Sequence, residues 1–298
     1  MQHVRRIVRT RQPLGGRLVP HVRNTVCAVA ARQGDATRPF RGGLTPGRFT
    51  MATHDSTRDI NLHSHGGVDG STDVRTVQVQ KSLMTHNDGV AAENRMRFGS
   101  RLVLNIVSSP GSGKTALMER TVRELANDLQ VGVVVGDLET DNDAVRIHDA
   151  GAPSVQIVTG AVCHLEAEMV ARAVDNLDVE GLDVVVIENV GNLVCPAAWD
   201  LGEDLRVTML SVTEGEDKPL KYPRIFKDAH AVIVNKIDIA EVVGFDRAKA
   251  LDSIAKVAPA ATVFEVSAKT GEGIGDWLDW LRARRVEKVE RLAKVTVG

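Results

Sequence analysis

Lys114 and Thr115 close the run Ser109-Pro-Gly-Ser-Gly-Lys-Thr115, whose residue types and spacing are those of a phosphate-binding loop. The chemistry is electrostatic. Glycines at 111 and 113 let backbone N–H groups along Gly111, Ser112, Gly113, Lys114, Thr115 and Ala116 turn inward to phosphate oxygens. The Lys114 ammonium reaches the β- and γ-phosphates, and the Thr115 hydroxyl is a Mg²⁺ ligand. The first glycine of the usual G-x-x-x-x-G-K-[ST] pattern falls on Ser108, so a small side chain must be tolerated there. The apolar run Leu102-Val-Leu-Asn-Ile-Val107 precedes the loop and a helical pattern follows it, which is the strand, loop and helix setting the motif needs.

A second set reads a base. Asn235-Lys-Ile-Asp238 follows the apolar run Ala231-Val-Ile-Val234. The Asp238 carboxylate can accept from both N1–H and the exocyclic amine of guanine, donors that adenine lacks in that arrangement, so GTP is expected over ATP. The Lys236 stem can lie over the base, and Asn235 can tie this loop to the phosphate loop. Ser267-Ala268-Lys269 after the next strand completes the set, and the combination is far more specific than four residues alone.

Acids stand between these motifs. Asp137 ends a strand in Gly136-Asp137-Leu-Glu139 and can bind Mg²⁺ through water or orient an attacking water. Glu188 begins Glu188-Asn-Val-Gly191 at another strand end, where it can hold the Mg²⁺ shell while the Gly191 N–H senses a γ-phosphate. Lys114, Asp137 and Glu188 are the candidate catalytic residues. Glu139 and Asp141 read as solvated charges near a helix start.

Cys163-His164 and Cys195 form a separate constellation of soft and borderline metal ligands from two loops. Three ligands leave a cage incomplete, to be closed by water or by a second subunit across a two-fold axis. From spacing alone, two buried cysteines and a surface histidine fit equally well.

The elements that must position these groups alternate. Strands are expected at 102–107, 131–136, 154–158, 183–187, 206–212, 231–234 and 262–266. Helices are expected near 114–129, 141–150, 164–176, 219–227, 246–256 and 274–293. Short runs apolar on both faces, separated by amphipathic helices, describe an α/β fold with a doubly wound, mostly parallel sheet flanked by helices. Ligands bind such sheets at the carboxyl ends of the strands. Ahead of them, Val79, Leu83, Met84, Val90, Ala91 and Met96 give a helical pattern interrupted at Asn87-Asp-Gly89, which predicts two helices or one with a break.

The 298 residues, 43% of them hydrophobic, are ample for a buried core. No segment approaches the roughly 18–20 apolar residues of a membrane span, so no membrane partner is expected. Three cysteines, Cys27, Cys163 and Cys195, suit a reducing compartment and a cytoplasmic protein. Residues 1–50 hold ten arginines against Asp35 alone, a net of +9, which leaves −11 on the rest of a chain with formal net charge −2. That acidic body argues against nucleic acid as the partner. The arginine-rich opening has a transit-peptide composition, but its glycines and prolines break an amphipathic helix. Residues 1–76 are therefore expected to form a disordered N-terminal extension, and 77–298 the nucleotide-binding domain with its N-terminal helical segment. Met51-Ala-Thr-His-Asp offers an alternative start, under which residues 1–50 would not belong to the native protein.

Asn87-Asp-Gly-Val-Ala-Ala-Glu-Asn94, the run Val107 to Thr115, Gly160-Ala-Val-Cys-His-Leu165, Glu188-Asn-Val-Gly-Asn-Leu-Val-Cys-Pro196 and Ser211-Val-Thr-Glu-Gly-Glu-Asp217 together resemble the HypB hydrogenase nickel-incorporation GTPases, over about residues 77–290. The resemblance implies a SIMIBI-class P-loop fold, GTP hydrolysis, and homodimerisation on GTP binding. It also implies nickel delivery to a [NiFe]-hydrogenase large-subunit precursor together with a HypA-type nickel/zinc accessory protein. Under it, Cys163, His164 and Cys195 form an interface site for Ni²⁺ or Zn²⁺, and Ile239 and Val243 make apolar dimer contacts. The chain lacks the amino-terminal C-x-x-C-G-C motif of many members, and His54, His63 and His65 replace the histidine tract of others, reading as solubilising sequence. Two alternatives remain: a passive dimeric nickel or zinc storage protein with a regulatory nucleotide site, and a urease-type nickel GTPase, whose Cys-Pro-His motif is absent. An ATP-dependent partitioning protein is countered by Asp238.

Overall fold

The computed structural model describes residues 4–6, 71–138 and 142–297. Cys27, His54, His63, His65, Glu139 and Asp141, and the expected extension apart from 4–6 and 71–76, lie outside them. The elements run β1 (Val4–Arg6), α1 (Ser71–Phe98), β2 (Leu102–Ser108), α2 (Lys114–Leu125), β3 (Val131–Asp137), α3 (Asn142–Ala150), β4 (Ser154–Val158), α4 (Ala167–Val174), β5 (Val184–Glu188), β6 (Leu205–Ser211), α5 (Lys218–Lys221), α6 (Pro223–Lys227), β7 (Ala231–Asn235), α7 (Arg247–Val257), β8 (Thr262–Val266) and α8 (Ile274–Val297).

The sheet order is β1-β4-β3-β5-β2-β6-β7-β8. Seven strands are parallel, and β1 lies antiparallel on β4 at the edge. The short strand Val4–Arg6 falls within the expected extension. Burial on both faces explains the apolar runs: Val133 and Val135 enter the core under α2, α3 and α8, while Val134 faces the cluster under α1 and α4. Trp277 of α8 is buried, and its indole N–H donates to Thr121 Oγ1 at 3.0 Å, so the bulkiest core residue leaves no polar atom unmet.

Two boundaries differ from expectation for identifiable reasons. Helix α1 starts at Ser71 and runs unbroken through Gly89, because Asn87, Ala91, Asn94 and Phe98 share one buried face and tertiary packing outweighs the glycine's roughly 1 kcal/mol disadvantage. The segment 218–227 is two short helices hinged at Tyr222 (φ −123°, ψ 53°), since a residue before proline is driven out of the helical region.

Candidate functional site

The phosphate loop leaves the carboxyl end of central strand β2 and feeds α2, with β5 and β6 on either side. Gly113 has φ +97°, and a Cβ there would stand 2.6 Å from Asn235 Nδ2; only glycine fits. Ser108 belongs to β2, so its backbone needs no left-handed turn, and its buried hydroxyl is fully used. It accepts from Lys114 Nζ at 2.9 Å and Ser112 Oγ at 2.5 Å, and donates to the Ser109 carbonyl at 2.8 Å. Lys114 is thereby bonded within the loop it serves.

Glu188 ends β5, beside β2, and is fully buried. Thr115 Oγ1 donates to its Oε1 at 2.9 Å, while Oε2 has no hydrogen-bond partner among the described residues. Burial pushes the Glu188 carboxyl up to about 7, against the pull of Lys114 and the Thr115 bond, and burial pushes the Lys114 ammonium down. An orphaned buried oxygen next to a threonine hydroxyl suits a divalent cation. Asp137, at the end of β3, borders the same cavity of about 440 Å³ as Lys114, Thr115, Glu188 and Gly191. Arg146 also lines it, held by Glu119 at 2.8 Å and Asp143 at 3.1 Å, and nothing in the local sequence marks it.

The base-reading loops are joined to the phosphate loop. Asn235 Nδ2 donates to the Ser112 carbonyl at 2.9 Å, and its Oδ1 accepts from Ala268 N at 3.1 Å. Lys236, with φ +66°, stretches its ammonium to the Gly111 carbonyl at 2.7 Å. Ser267 Oγ donates to Asp238 Oδ1 at 2.6 Å, fixing the carboxylate. Arg120 of α2 donates to the carbonyls of Ala268 at 2.7 Å and Lys269 at 3.0 Å, holding that loop from the phosphate side; no spacing rule flagged it.

The three soft ligands do meet: ligand atoms of Cys163, His164 and Cys195 lie within 4.8 Å of one another, and the two thiol sulfurs are 2.6 Å apart. His164 stacks on Trp199 with centroids 4.5 Å apart. Both its ring nitrogens are buried without hydrogen-bond partners among the described residues, Nε2 lying 3.6 Å from Glu166, and burial pushes its pKa down. An imidazole whose ring nitrogens make no hydrogen bond among the described residues, beside two cysteines, is a donor set that suits a borderline divalent cation. The Cys195 thiol is pushed up by its Cys163 neighbour and by burial. Asn192 shapes its loop, accepting from Val194 N at 2.7 Å and Cys195 N at 3.2 Å.

Sequence reasoning missed what ties the two sites together. Asn189, buried beside Glu188, accepts from Val190 N at 2.9 Å and from Leu165 N at 3.3 Å, and donates to Asn105 Oδ1 at 3.2 Å. Asn105 in turn donates to Glu203, whose carboxylate receives Leu201 N and Arg206. Of the expected dimer contacts, Val243 is exposed, Ile239 is half-buried against the core, and neighbouring Val242 is 86% exposed. No helix among the described residues is long and apolar enough to cross a membrane.

Residues 102–265 match the family described as CobW/HypB/UreG, nucleotide-binding domain. The chain is 48% identical over 235 residues to the hydrogenase maturation factor HypB of Azotobacter chroococcum mcd 1, covering 76% of each. It is 43% identical over 240 residues to that of Escherichia coli (strain K12), covering 78% of this chain and 83% of that one. The crystal structure of HypB from Helicobacter pylori in complex with nickel superposes with a TM-score of 0.65 at 41% identity, over 68% of this chain and 97% of the other. The chain belongs to the CobW/HypB/UreG family of nucleotide-binding proteins and, within it, to the HypB group.

Proposed function

We propose that this protein is a GTP-hydrolysing nickel metallochaperone of hydrogenase maturation. It takes Ni²⁺ at Cys163, His164 and Cys195 and passes it, with a HypA-type accessory protein, to the large-subunit precursor of a [NiFe]-hydrogenase. GTP binding drives homodimerisation, and Val242 and Val243 are the exposed apolar side chains available near the base-reading loop. Relatives named as hydrogenase maturation factors and a relative crystallised with nickel support this reading.

Lys114, Thr115 and the loop N–H groups hold the triphosphate, Asp238 and Lys236 take the guanine, and Asp137 orients the attacking water. Thr115, Glu188 and Asp137 would hold Mg²⁺, which when bound neutralises charge on the transferring phosphoryl group. On nucleotide binding Lys114 leaves Ser108 for phosphate oxygens, and the Gly191 N–H takes a γ-phosphate oxygen.

The observation that carries the proposal is the continuity of the loop after β5. Gly191 packs so closely on the phosphate loop that a Cβ would meet Pro110 Cα at 3.1 Å, and Cys195 follows four residues later. A γ-phosphate that shifts Gly191 therefore acts on a metal ligand, and coupling of this kind is reciprocal. The test is titration of Ni²⁺ and Zn²⁺ into wild type and Cys195→Ala, each with GDP and with a non-hydrolysable GTP analogue. A nickel affinity that depends on the nucleotide and collapses in Cys195→Ala is expected. Equal affinities in both nucleotide states, at fixed oligomeric state, would refute the switch.

A further inference from the structure

Helix α1 lies far from the ligands in sequence, yet two of its asparagines grip both ligand loops. Ala167 N–H, three residues past His164, donates to Asn87 Oδ1 at 2.9 Å, while Asn87 Nδ2 donates to the carbonyl of Asp200, five residues past Cys195, at 2.8 Å. Asn94, two turns on, donates to the carbonyls of Ala167 at 2.9 Å and Leu201 at 3.1 Å. Both side chains are buried, at 5% and 1% exposure. Gly202 allows the close seat: a Cβ there would stand 2.7 Å from Asn94 Cβ and 2.8 Å from the Ala91 carbonyl.

The two loops issue from β4 and β5, which pair with β3 between them and not with each other, so beyond the strand ends their separation depends on side-chain links such as that of Asn189 to Leu165 N and those from α1. We propose that Asn87 is a positioning residue of the metal centre: bonding one ligand loop through its oxygen and the other through its nitrogen, it sets the gap that Cys163-His164 and Cys195 span. Asn94 repeats the link one layer deeper. Groups bonded directly to metal ligands commonly change metal affinity 10- to 100-fold when replaced, and Asn87 acts on the same ligands through the backbone of their loops.

The proposal rests on the nickel reading above, and the experiment separates the two. Ni²⁺ is titrated into the full chain as wild type, Cys195→Ala, Asn87→Asp, Asn87→Ala and Arg97→Ala, following thiolate-to-nickel charge-transfer absorption, with GDP affinity measured on each. Asn87→Asp keeps the acceptor for Ala167 N–H but faces the Asp200 carbonyl with an oxygen. Arg97→Ala removes a contact from α1 to Ala171 and Asp175 of the α4 region without touching either ligand loop. Both Asn87 variants are expected to weaken nickel at least 10-fold and shift the absorption band, with GDP affinity within twofold of wild type, while Arg97→Ala binds nickel as wild type does. Wild-type nickel affinity and spectrum in the Asn87 variants would overturn the proposal. So would an equal loss in Arg97→Ala, or loss of GDP binding together with nickel, since Asn87 would then serve the fold at large. If Cys195→Ala binds nickel like wild type, the fault lies in the nickel reading itself.

Discussion

Gly113 and Asn235 form a joint whose strength can be measured by a double-mutant cycle. Gly113→Ala forces a side chain into φ +97° and sets its Cβ 2.6 Å from Asn235 Nδ2. The left-handed backbone costs about 1–2 kcal/mol. The clash displaces an amide that satisfies the Ser112 carbonyl and Ala268 N–H, and buried groups left unmet cost about 1–3 kcal/mol each. Both bonds lie within the protein itself, so the loss is read by urea unfolding. With the buried Ser112 carbonyl as the group left unmet, since the part-buried Ala268 N–H can turn to water, Gly113→Ala should cost about 2–5 kcal/mol in wild type but only the 1–2 kcal/mol of backbone strain in an Asn235→Ala background, a coupling of about 1–3 kcal/mol. Gly111→Ala is the internal control: φ is +74° but nothing lies within 4 Å of the added Cβ, so it should cost about 1–2 kcal/mol in either background. Additivity of Gly113→Ala and Asn235→Ala within about 0.5 kcal/mol would refute the joint.

Asp238→Asn should lower GTP affinity roughly 100-fold by losing charge-assisted bonds of about 1.5–3 kcal/mol and raise affinity for xanthosine triphosphate; unchanged GTP preference in competition binding would sink the base-reading role. Ser267→Ala, which frees the carboxylate and removes the acceptor of Thr270 N–H, should keep the preference for GTP while weakening GTP binding about 10-fold. The third expectation concerns pH in EDTA without nucleotide. Unfolded, Glu188 ionises near its ordinary 4.5, but burial raises it to about 7 in the folded chain. Its contribution to stability is thus fully present below pH 4.5 and falls as pH rises to 7, by about 3 kcal/mol at 1.4 kcal/mol per unit. Glu188→Gln should therefore become the more stable protein between pH 5 and pH 8. Parallel urea-unfolding profiles for the two proteins would show that Glu188 carries no such burden.

Much of the fold was legible because parallel strands buried on both faces must be written as apolar runs. Val131 to Val135 and Val184 to Ile187 admit little else. Helix α1 was harder, since Gly89 reads as a break until Asn87, Ala91, Asn94 and Phe98 are placed at i, i+4, i+7 and i+11 on a buried face. The spacing was available, but asparagine at two of those positions hid it. The nucleotide motifs were readable because each is contiguous. Asn189, Arg120 and Asn87 were not, because their partners lie 24 to 149 residues away and no local pattern encodes such bonds.

The strand order explains why a metal centre in this position would be responsive. Strands β4 and β5 are separated by β3, so their carboxyl ends are about 10 Å apart at the usual spacing of roughly 4.8 Å. Ligands issuing from both can meet only by crossing the end of β3, and that end carries Asp137. The crossing chain is bonded there: Thr159 N donates to the Asp137 carbonyl at 2.9 Å and Gly160 N to that of Leu138 at 3.0 Å. The other ligand loop begins at Glu188 and touches the phosphate loop through Gly191. Under the proposed switch, Mg²⁺ or water held at Asp137 and a γ-phosphate oxygen at the Gly191 N–H would therefore pull on different ligand loops. Unequal pulls change the separation of Cys163 from Cys195, and thiolate ligands near 2.3 Å from a metal tolerate little such change. On the same proposal, helix α1 opposes the separation through Asn87 and Asn94, and nickel affinity in each nucleotide state would be set by the balance between the nucleotide contacts and this clamp.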